Sequence, residues 1–163
     1  MAVSMINARS ETASAKPAFR DSLNSRRCLI PADGFYEWQQ IGKLKQPFCF
    51  EINDGNLFAF AGIWDSWRDE AGNALESCSI LTTTPNALTE RVHDRMPVIL
   101  NSDDYDVWLD PGMTDVSVVS QFLKPYNPRL MRFFPISSRI NDVRNDDEEC
   151  CVKVEPAQAQ LFG

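Results

Sequence analysis

A run of short apolar segments, divided by polar turn signals, constrains the fold of this 163-residue chain most strongly. The segments Gln46–Ile52, Leu57–Trp67 and Ser77–Thr83 have the length and composition of β-strands. Asn53-Asp54-Gly55-Asn56 is typical of a hairpin turn between the first two. Connections this short join neighbouring antiparallel strands, so an antiparallel meander is predicted for the middle of the chain.

Further elements are predicted on both sides of the meander. Helices are expected at Ala15 to Arg26, from Thr84 to His93, at Ser102 to Trp108 and at Thr114 to Leu123. Additional strands are expected at Cys28 to Trp38, with a kink at Asp33-Gly34, at Met96 to Leu100 and at Leu130 to Ile136. The predicted fold class is therefore α+β, a curved antiparallel sheet or partial barrel with several short surrounding helices. One domain is expected over residues 1–155, followed by a flexible tail over residues 156–163.

Charge and cysteine content exclude some classes of protein. A net charge of −7 argues against an indiscriminate polyanion binder. Residues 1–50 nevertheless carry seven Lys/Arg against four Asp/Glu, which favours either a local basic face or an ordinary solvated surface. Five cysteines without a regular spacing favour reduced thiols, and no Cys/His cluster predicts a metal site. Without a cofactor motif, signal peptide or membrane-length apolar run, we expect no cofactor, no membrane contact and a cytoplasmic location.

Three polar residues occupy positions where core-facing side chains are normally expected: Asn7, Glu37 and His93. In a strand, Glu37 would share one face with Phe35 and Gln39, opposite Tyr36 and Trp38. His93 is the only histidine in the chain. A carboxylate and an imidazole in one cleft can form a general acid/base pair. The alternatives are a surface or capping histidine, and a structural hydrogen bond from Glu37 to Arg95 or to a backbone amide.

Two other kinds of site remain open. A Cys/His peptidase could combine His93 with Cys28 or Cys150, although Cys28 lies in an apolar run typical of a core. The four tryptophans could stack on nucleic-acid bases, or could simply pack.

Three blocks of the sequence carry a family resemblance: Ile6-Asn7-Ala8-Arg9-Ser10-Glu11-Thr12, Pro31-Ala32-Asp33-Gly34-Phe35-Tyr36-Glu37-Trp38 and His93-Asp94-Arg95-Met96-Pro97. In order and spacing they resemble the SRAP family, SOS-response-associated, peptidase-like proteins that process abasic sites in single-stranded DNA. Shorter matches include Lys45-Gln46-Pro47-Phe48, Leu81-Thr82-Thr83 and Pro135 to Asn141. The resemblance covers essentially the whole chain and implies an SRAP-like fold.

The resemblance also implies roles for individual residues. Family members trap the ring-opened aldehyde of an abasic sugar as a thiazolidine, using the amine and thiol of an N-terminal cysteine. Asn7 would orient the sugar or the cysteine, Glu37 would act as acid and base in the condensation, and His93 would assist ring opening and reversal. The implied DNA-binding residues are Arg9, Arg95, Trp38, Thr82, Pro97 and Arg139. Of these, Arg9 and Arg95 would hold the phosphates that flank the lesion.

The sequence departs from the family at its beginning, where residue 2 is alanine and the family's opening segment with its cysteine is not found. A misassigned start or trimmed form, a diverged relative that forms no crosslink, and a decayed gene product are the competing explanations, and we favour the first. The amine of Ala2 or Met1 could form a Schiff base with the aldehyde and support lyase-type cleavage.

The last residues resemble the short peptide by which bacterial repair proteins dock on the replication sliding clamp, through Gln158, Leu161 and Phe162. An ordinary frayed tail is the alternative. The function expected from the resemblance is abasic-site processing on single-stranded DNA, in the cytoplasm and nucleoid-associated when bound. The alternatives are a non-covalent single-stranded DNA or clamp-binding module, and a peptidase.

Overall fold

The computed structural model describes residues 5–156 of the chain. Its strands are β1 (Asn7–Arg9), β2 (Arg27–Ala32), β3 (Phe35–Ile41), β4 (Leu44–Ile52), β5 (Phe58–Arg68), β6 (Ala74–Thr83), β7 (Met96–Pro97), β8 (Ile99–Leu100) and β9 (Met131–Pro135). Its α-helices are α1 (Ser10–Ala13), α2 (Pro17–Ser25), α3 (Tyr105–Leu109) and α4 (Val116–Phe122). Single turns of 3₁₀-helix, such as Thr89–Arg91, connect several of these elements.

The chain forms two compact units, each assembled from three separate stretches. Among the described residues, the first unit contains residues 5–32, 58–84 and 95–126, and the second contains residues 33–57, 85–94 and 127–156. Each unit is built around one sheet. The expectation of one domain over residues 1–155 stays a prediction. Within residues 5–156, no helix is long and apolar enough to cross a membrane.

The sheet of the first unit has the strand order β1-β6-β5-β2, with β7 added beside β6 and β8 beside β5. It curls into half a barrel, and its strands are antiparallel except that β1 runs parallel to β6. Helices α2, α3 and α4 contribute to one apolar cluster with β5 and β6. The buried members of this cluster include Phe19, Leu23, Ala61, Ile63, Leu81, Val98, Trp108 and Val119.

The sheet of the second unit contains three antiparallel strands in the order β3-β4-β9. Aromatic rings from all three strands stack across it. The ring of Phe35 lies 4.9 Å from that of Phe50, which in turn lies 5.3 Å from that of Phe133. Such stacked rings stabilise the sheet beyond the burial of their area, and they form the apolar packing on one face of it.

The predicted α+β class and curved sheet are confirmed, but one predicted hairpin is wrong. Residues Asn53–Gly55 do turn the chain, with Asp54 and Gly55 at positive φ. However, β4 already pairs with β3 on one edge and β9 on the other, so β5 cannot join it and pairs with β2 and β6 instead. The predicted kink at Asp33-Gly34 is likewise the point where the chain leaves one sheet for the other.

A buried arginine ties the first unit together. The guanidinium of Arg27 donates hydrogen bonds to four backbone carbonyls, those of Leu23 (2.9 Å), Asn24 (2.7 Å), Trp108 (2.6 Å) and Asp110 (2.5 Å). Two of these carbonyls belong to α2 and two to the end of α3 and the residue after it. The side chain therefore donates to carbonyls at the C-terminal ends of two helices, which have no partner within their own helix.

Replacing Arg27 by methionine keeps most of the side-chain volume but leaves these carbonyls without their donor. We expect the free energy of unfolding to fall by about 2–4 kcal/mol, since several buried acceptors lose a charge-assisted bond. Urea denaturation measures this loss. The control is Arg20→Met, which removes an exposed pair with Asp21 and should cost no more than about 1 kcal/mol. Equal losses in the two variants would contradict the role of Arg27.

Candidate functional site

Strand β3 presents two chemically different faces, as its alternation predicts. On one face, the amide of Gln39 donates to the backbone carbonyl of Arg91 at 2.7 Å, and the charge of His93 acts on Glu37. On the other face, the indole of Trp38 donates to the side chain of Asn141 at 2.6 Å. The strand thus places Glu37 and Gln39 beside the segment that carries His93.

The segment before His93 is fixed by a buried polar cluster. The side-chain oxygen of Asn86 accepts hydrogen bonds from the amides of Leu88 and Thr89, at 3.0 and 2.9 Å. The carbonyl of Thr89 accepts the amides of Val92 and His93, both at 2.9 Å. Thr89 is completely buried. A segment with little regular secondary structure therefore holds the histidine backbone through hydrogen bonds, and only the turn Thr89–Arg91 is helical.

The His93 imidazole is partly exposed and lies next to an acid. Its Nδ1 is 3.4 Å from Oδ1 of Asp94, and 41% of its side-chain surface is accessible to solvent. An imidazole in this position can exchange protons with a bound molecule while keeping contact with the protein.

Glu37 has a raised pKa because its carboxyl is partly buried. The positive charge of protonated His93 and the amide of Trp38 lower the pKa of Glu37, and the neighbouring charge of Asp94 raises it. Burial is the largest of these effects, so the carboxyl retains its proton to a higher pH than an exposed glutamate. A carboxyl with a raised pKa keeps more of its protonated form available as a proton donor, as a general acid requires.

The first unit contains Asn7 and Arg9, which flank the buried Ala8 on strand β1 and are both exposed. In the sheet, Arg9 lies opposite Thr82 of β6, and Thr82 lies opposite the buried Pro97 of β7. Three of the predicted DNA-binding residues thus occupy adjacent strands. The proposed catalytic residues divide between the units, with Asn7 in the first and the other two in the second.

Arg95 is held by side chains of its own unit. Its terminal nitrogens donate to both carboxylate oxygens of Glu11, at 2.7 and 2.9 Å, and to the carbonyl and hydroxyl of Thr82, at 2.6 and 3.2 Å. This hydrogen bonding lowers the pKa of Glu11. The guanidinium fork expected to hold a phosphate is thus filled by a carboxylate in this structure.

Arg139 is similarly engaged in the second unit. Its guanidinium forms a two-bond pair with Asp147, at 3.1 and 2.5 Å. The predicted roles of Arg95, Arg139 and Trp38 in DNA binding stay predictions. So does the clamp-binding role of Gln158, Leu161 and Phe162, which lie outside the described residues.

Sequence reasoning did not assign a role to Gln39, Asn86, Thr89 or Glu11. The available signals were a glutamine on the same strand face as Glu37 and an Asn-x-x-Thr spacing before the histidine. Among residues 5–156, no group of His, Cys, Asp and Glu side chains is placed to hold a metal ion. Burial raises the pKa of the Cys28 thiol to about 11, which disfavours the thiolate that a cysteine peptidase needs.

Comparison with known proteins supports the family resemblance of the three sequence blocks around Asn7, Glu37 and His93. The profile of the SOS response associated peptidase (SRAP) family matches residues 1–143. The abasic site processing protein YoqW of Bacillus subtilis is 47% identical over 146 residues, which make up 89% of this chain and 65% of the relative. The abasic site processing protein HMCES of Gallus gallus is 32% identical over 170 residues, with 91% of this chain and 50% of that protein covered.

A crystal structure of a protein from Bacteroides thetaiotaomicron superposes with a TM-score of 0.87 at 31% identity, covering 93% of this chain and 67% of that one. The chain belongs to the SRAP family. It spans 65% of the length of its Bacillus relative YoqW and 50% of the length of chicken HMCES.

The opposite pKa shifts of Glu37 and Glu11 predict opposite effects of neutralising them. Glu37 ionises at a higher pH in the folded protein than in the unfolded chain. The protein therefore loses stability as the pH rises from the ordinary glutamate pKa through the folded pKa, because the buried carboxylate is costly. Glu11 ionises at a lower pH when folded, so its stabilising effect exists above the ordinary glutamate pKa and is lost as the pH falls. At pH 7, Glu37→Gln should raise the free energy of unfolding and Glu11→Gln should lower it.

Urea denaturation at pH 7 and at a pH below the ordinary glutamate range measures both effects. Each difference from the unmodified protein should shrink at the acidic pH, where the native carboxyls also become protonated. A loss of stability in Glu37→Gln at pH 7 would contradict the raised pKa.

Proposed function

We propose that this chain processes abasic sites in DNA, with Glu37 and His93 as its proton-transferring pair. The observation that carries the proposal is the half-buried carboxyl with a raised pKa, beside an imidazole held by its own hydrogen-bonded segment. Two kinds of comparison support it: the family profile and relatives named as abasic site processing proteins. The proposed location is the cytoplasm, where the protein would associate with the chromosome.

The chemistry of an abasic site needs such a pair. The sugar is a cyclic hemiacetal, which opens to an aldehyde when one group removes the hydroxyl proton at C1′ and another protonates the ring oxygen. When an amine then adds to the aldehyde, the intermediate loses its hydroxyl as water after an acid protonates it, and an imine forms. A carboxyl that can both donate and accept a proton can serve each of these steps, typically accelerating them by about 10²–10⁴-fold.

We infer that His93 acts on the sugar ring and Glu37 on the condensation, as the family resemblance implies. Asn7, exposed on β1, is proposed to orient the sugar through its amide. Within the first unit, Arg9 is an exposed cation beside Thr82, suited to a phosphate oxygen. Trp38 offers an aromatic surface for a base, which favours single-stranded over double-stranded DNA.

An oligonucleotide with one abasic site, and the same oligonucleotide without it, test this proposal. The chain is mixed with each, reduced with borohydride and examined on a denaturing gel. We expect an adduct only with the abasic oligonucleotide, because reduction fixes an imine between the aldehyde and an amine of the protein. Glu37→Gln and His93→Ala should each slow its formation by about 100-fold, which is within the usual contribution of a general acid or base.

A non-covalent binding module, the alternative function, gives a different result in the same experiment. Tighter binding to the abasic oligonucleotide without any adduct, and insensitive to Glu37→Gln, would replace the covalent step with a non-covalent binding module. Equal binding to both oligonucleotides and no adduct would contradict the proposal altogether. Glu51→Gln, a change elsewhere in the same sheet, is the control for unspecific loss.

A further inference from the structure

The backbone of Arg91 is attached to the same strand that carries Glu37. Glu37 and Gln39 are two residues apart on β3, so their side chains extend from one face of the strand. The amide nitrogen of Gln39 donates to the carbonyl oxygen of Arg91 at 2.7 Å. This bond joins the acid-bearing strand to the His93 segment, which lies 52 residues further along the chain.

The side chain of Arg91 is fixed as well. Its guanidinium lies over the ring of Phe133, 5.1 Å from the ring centre, and Phe133 belongs to β9 of the same sheet. The carbonyl of Arg91 is thus bound to β3, one outer strand of the sheet, and its side chain packs on β9, the other outer strand. Because His93 follows two positions later, fixing Arg91 limits where the imidazole can go.

The polar cluster inside the segment performs a different task. The side chain of Asn86 shapes the turn by accepting from the amide of Thr89, and the carbonyl of Thr89 accepts from the amide of His93. The side-chain amide of Asn86 also donates to the sulfur of Met131 at 3.1 Å, which attaches the segment to β9. The bond from Gln39 attaches the segment to β3, the acid-bearing strand.

We propose that Gln39 is a positioning residue, whose hydrogen bond to the Arg91 carbonyl keeps His93 beside Glu37. For the reaction, this inference rests on the proposed function. For the geometry it does not, because the spacing of Glu37 and His93 can be measured without DNA. Gln39 is half-buried and need not touch the substrate in this role.

The test uses Gln39→Met, which keeps the length of the side chain and removes the donor. A matched control is Gln40→Met on the adjacent position of β3, where the native amide donates to Gly42 in the hairpin turn. His93 is the only histidine, so a single set of imidazole NMR signals reports on it. The charged groups that act on Glu37 are His93 and Asp94, and Glu37→Gln provides the reference without the acid.

We expect the imidazole signals of the unmodified chain and of Gln40→Met to shift as Glu37 titrates. In Gln39→Met this response should fall by at least about half and approach that of Glu37→Gln. Borohydride-trapped adduct should form about 3- to 10-fold more slowly in Gln39→Met, the change expected for one hydrogen bond. Affinity for the abasic oligonucleotide should change by less than about twofold, because the residue acts through His93.

An imidazole response in Gln39→Met equal to that of the unmodified chain would overturn the inference, whatever happens with DNA. A reduced response in a protein that ignores abasic DNA would support the positioning role and reject the proposed function, so the two failures are distinguishable. Equal losses in Gln39→Met and Gln40→Met would also overturn it, because a general weakening of β3 would then explain both.

Discussion

The carboxyl of Glu37 is held where ionisation costs free energy, and the arrangement of the second unit follows from that constraint. A half-buried carboxylate needs compensating charge or hydrogen bonds, and His93 and the amide of Trp38 supply part of it. For the imidazole of His93 to lie near Glu37, the irregular segment that carries His93 must be held against the sheet that contains β3. The contacts that do so include the Asn86–Thr89 cluster, the Gln39 bond and the stacking of Arg91 on Phe133.

The two units use carboxylates in opposite ways. Glu11 is paired with Arg95, which lowers its pKa and makes the ionised form a stabilising element of the first unit. Glu37 has a raised pKa, which disfavours its ionised form. Carboxyls with a raised pKa are concentrated at functional sites, because a reactive acid must be able to change protonation at the working pH. The contrast singles out Glu37 on physical grounds, independently of any family resemblance.

Short-range patterns predicted a good part of this structure. The alternation of β3 placed Glu37 and Gln39 on one face because side chains in a strand repeat every two residues. The turn at Asn53–Gly55 was recognised from its residues, but not the separation of the strands on either side. That outcome depends on β9, about 80 residues away, which occupies the edge of β4 that a hairpin would have used. Local turn chemistry contains no information about such competition.

The partners of the arginines escaped prediction for the same reason. Arg95 binds Glu11 across 84 positions of sequence, and Gln39 binds Arg91 across 52. Sequence reasoning recognised that Glu37 and His93 could form an acid/base pair, but long-range contacts determine what holds each in place. Residues that carry chemistry have unusual types for their positions, whereas residues that position them look ordinary.

The titration of Glu37 itself tests the central claim most directly. Carboxyl carbon NMR of selectively labelled protein would follow this one group in the unmodified chain and in His93→Ala. The account predicts a pKa above the ordinary glutamate value, which rises further in His93→Ala because the imidazolium no longer favours the carboxylate. An ordinary pKa, or a raised pKa that does not respond to His93→Ala, would contradict the pairing of these two residues.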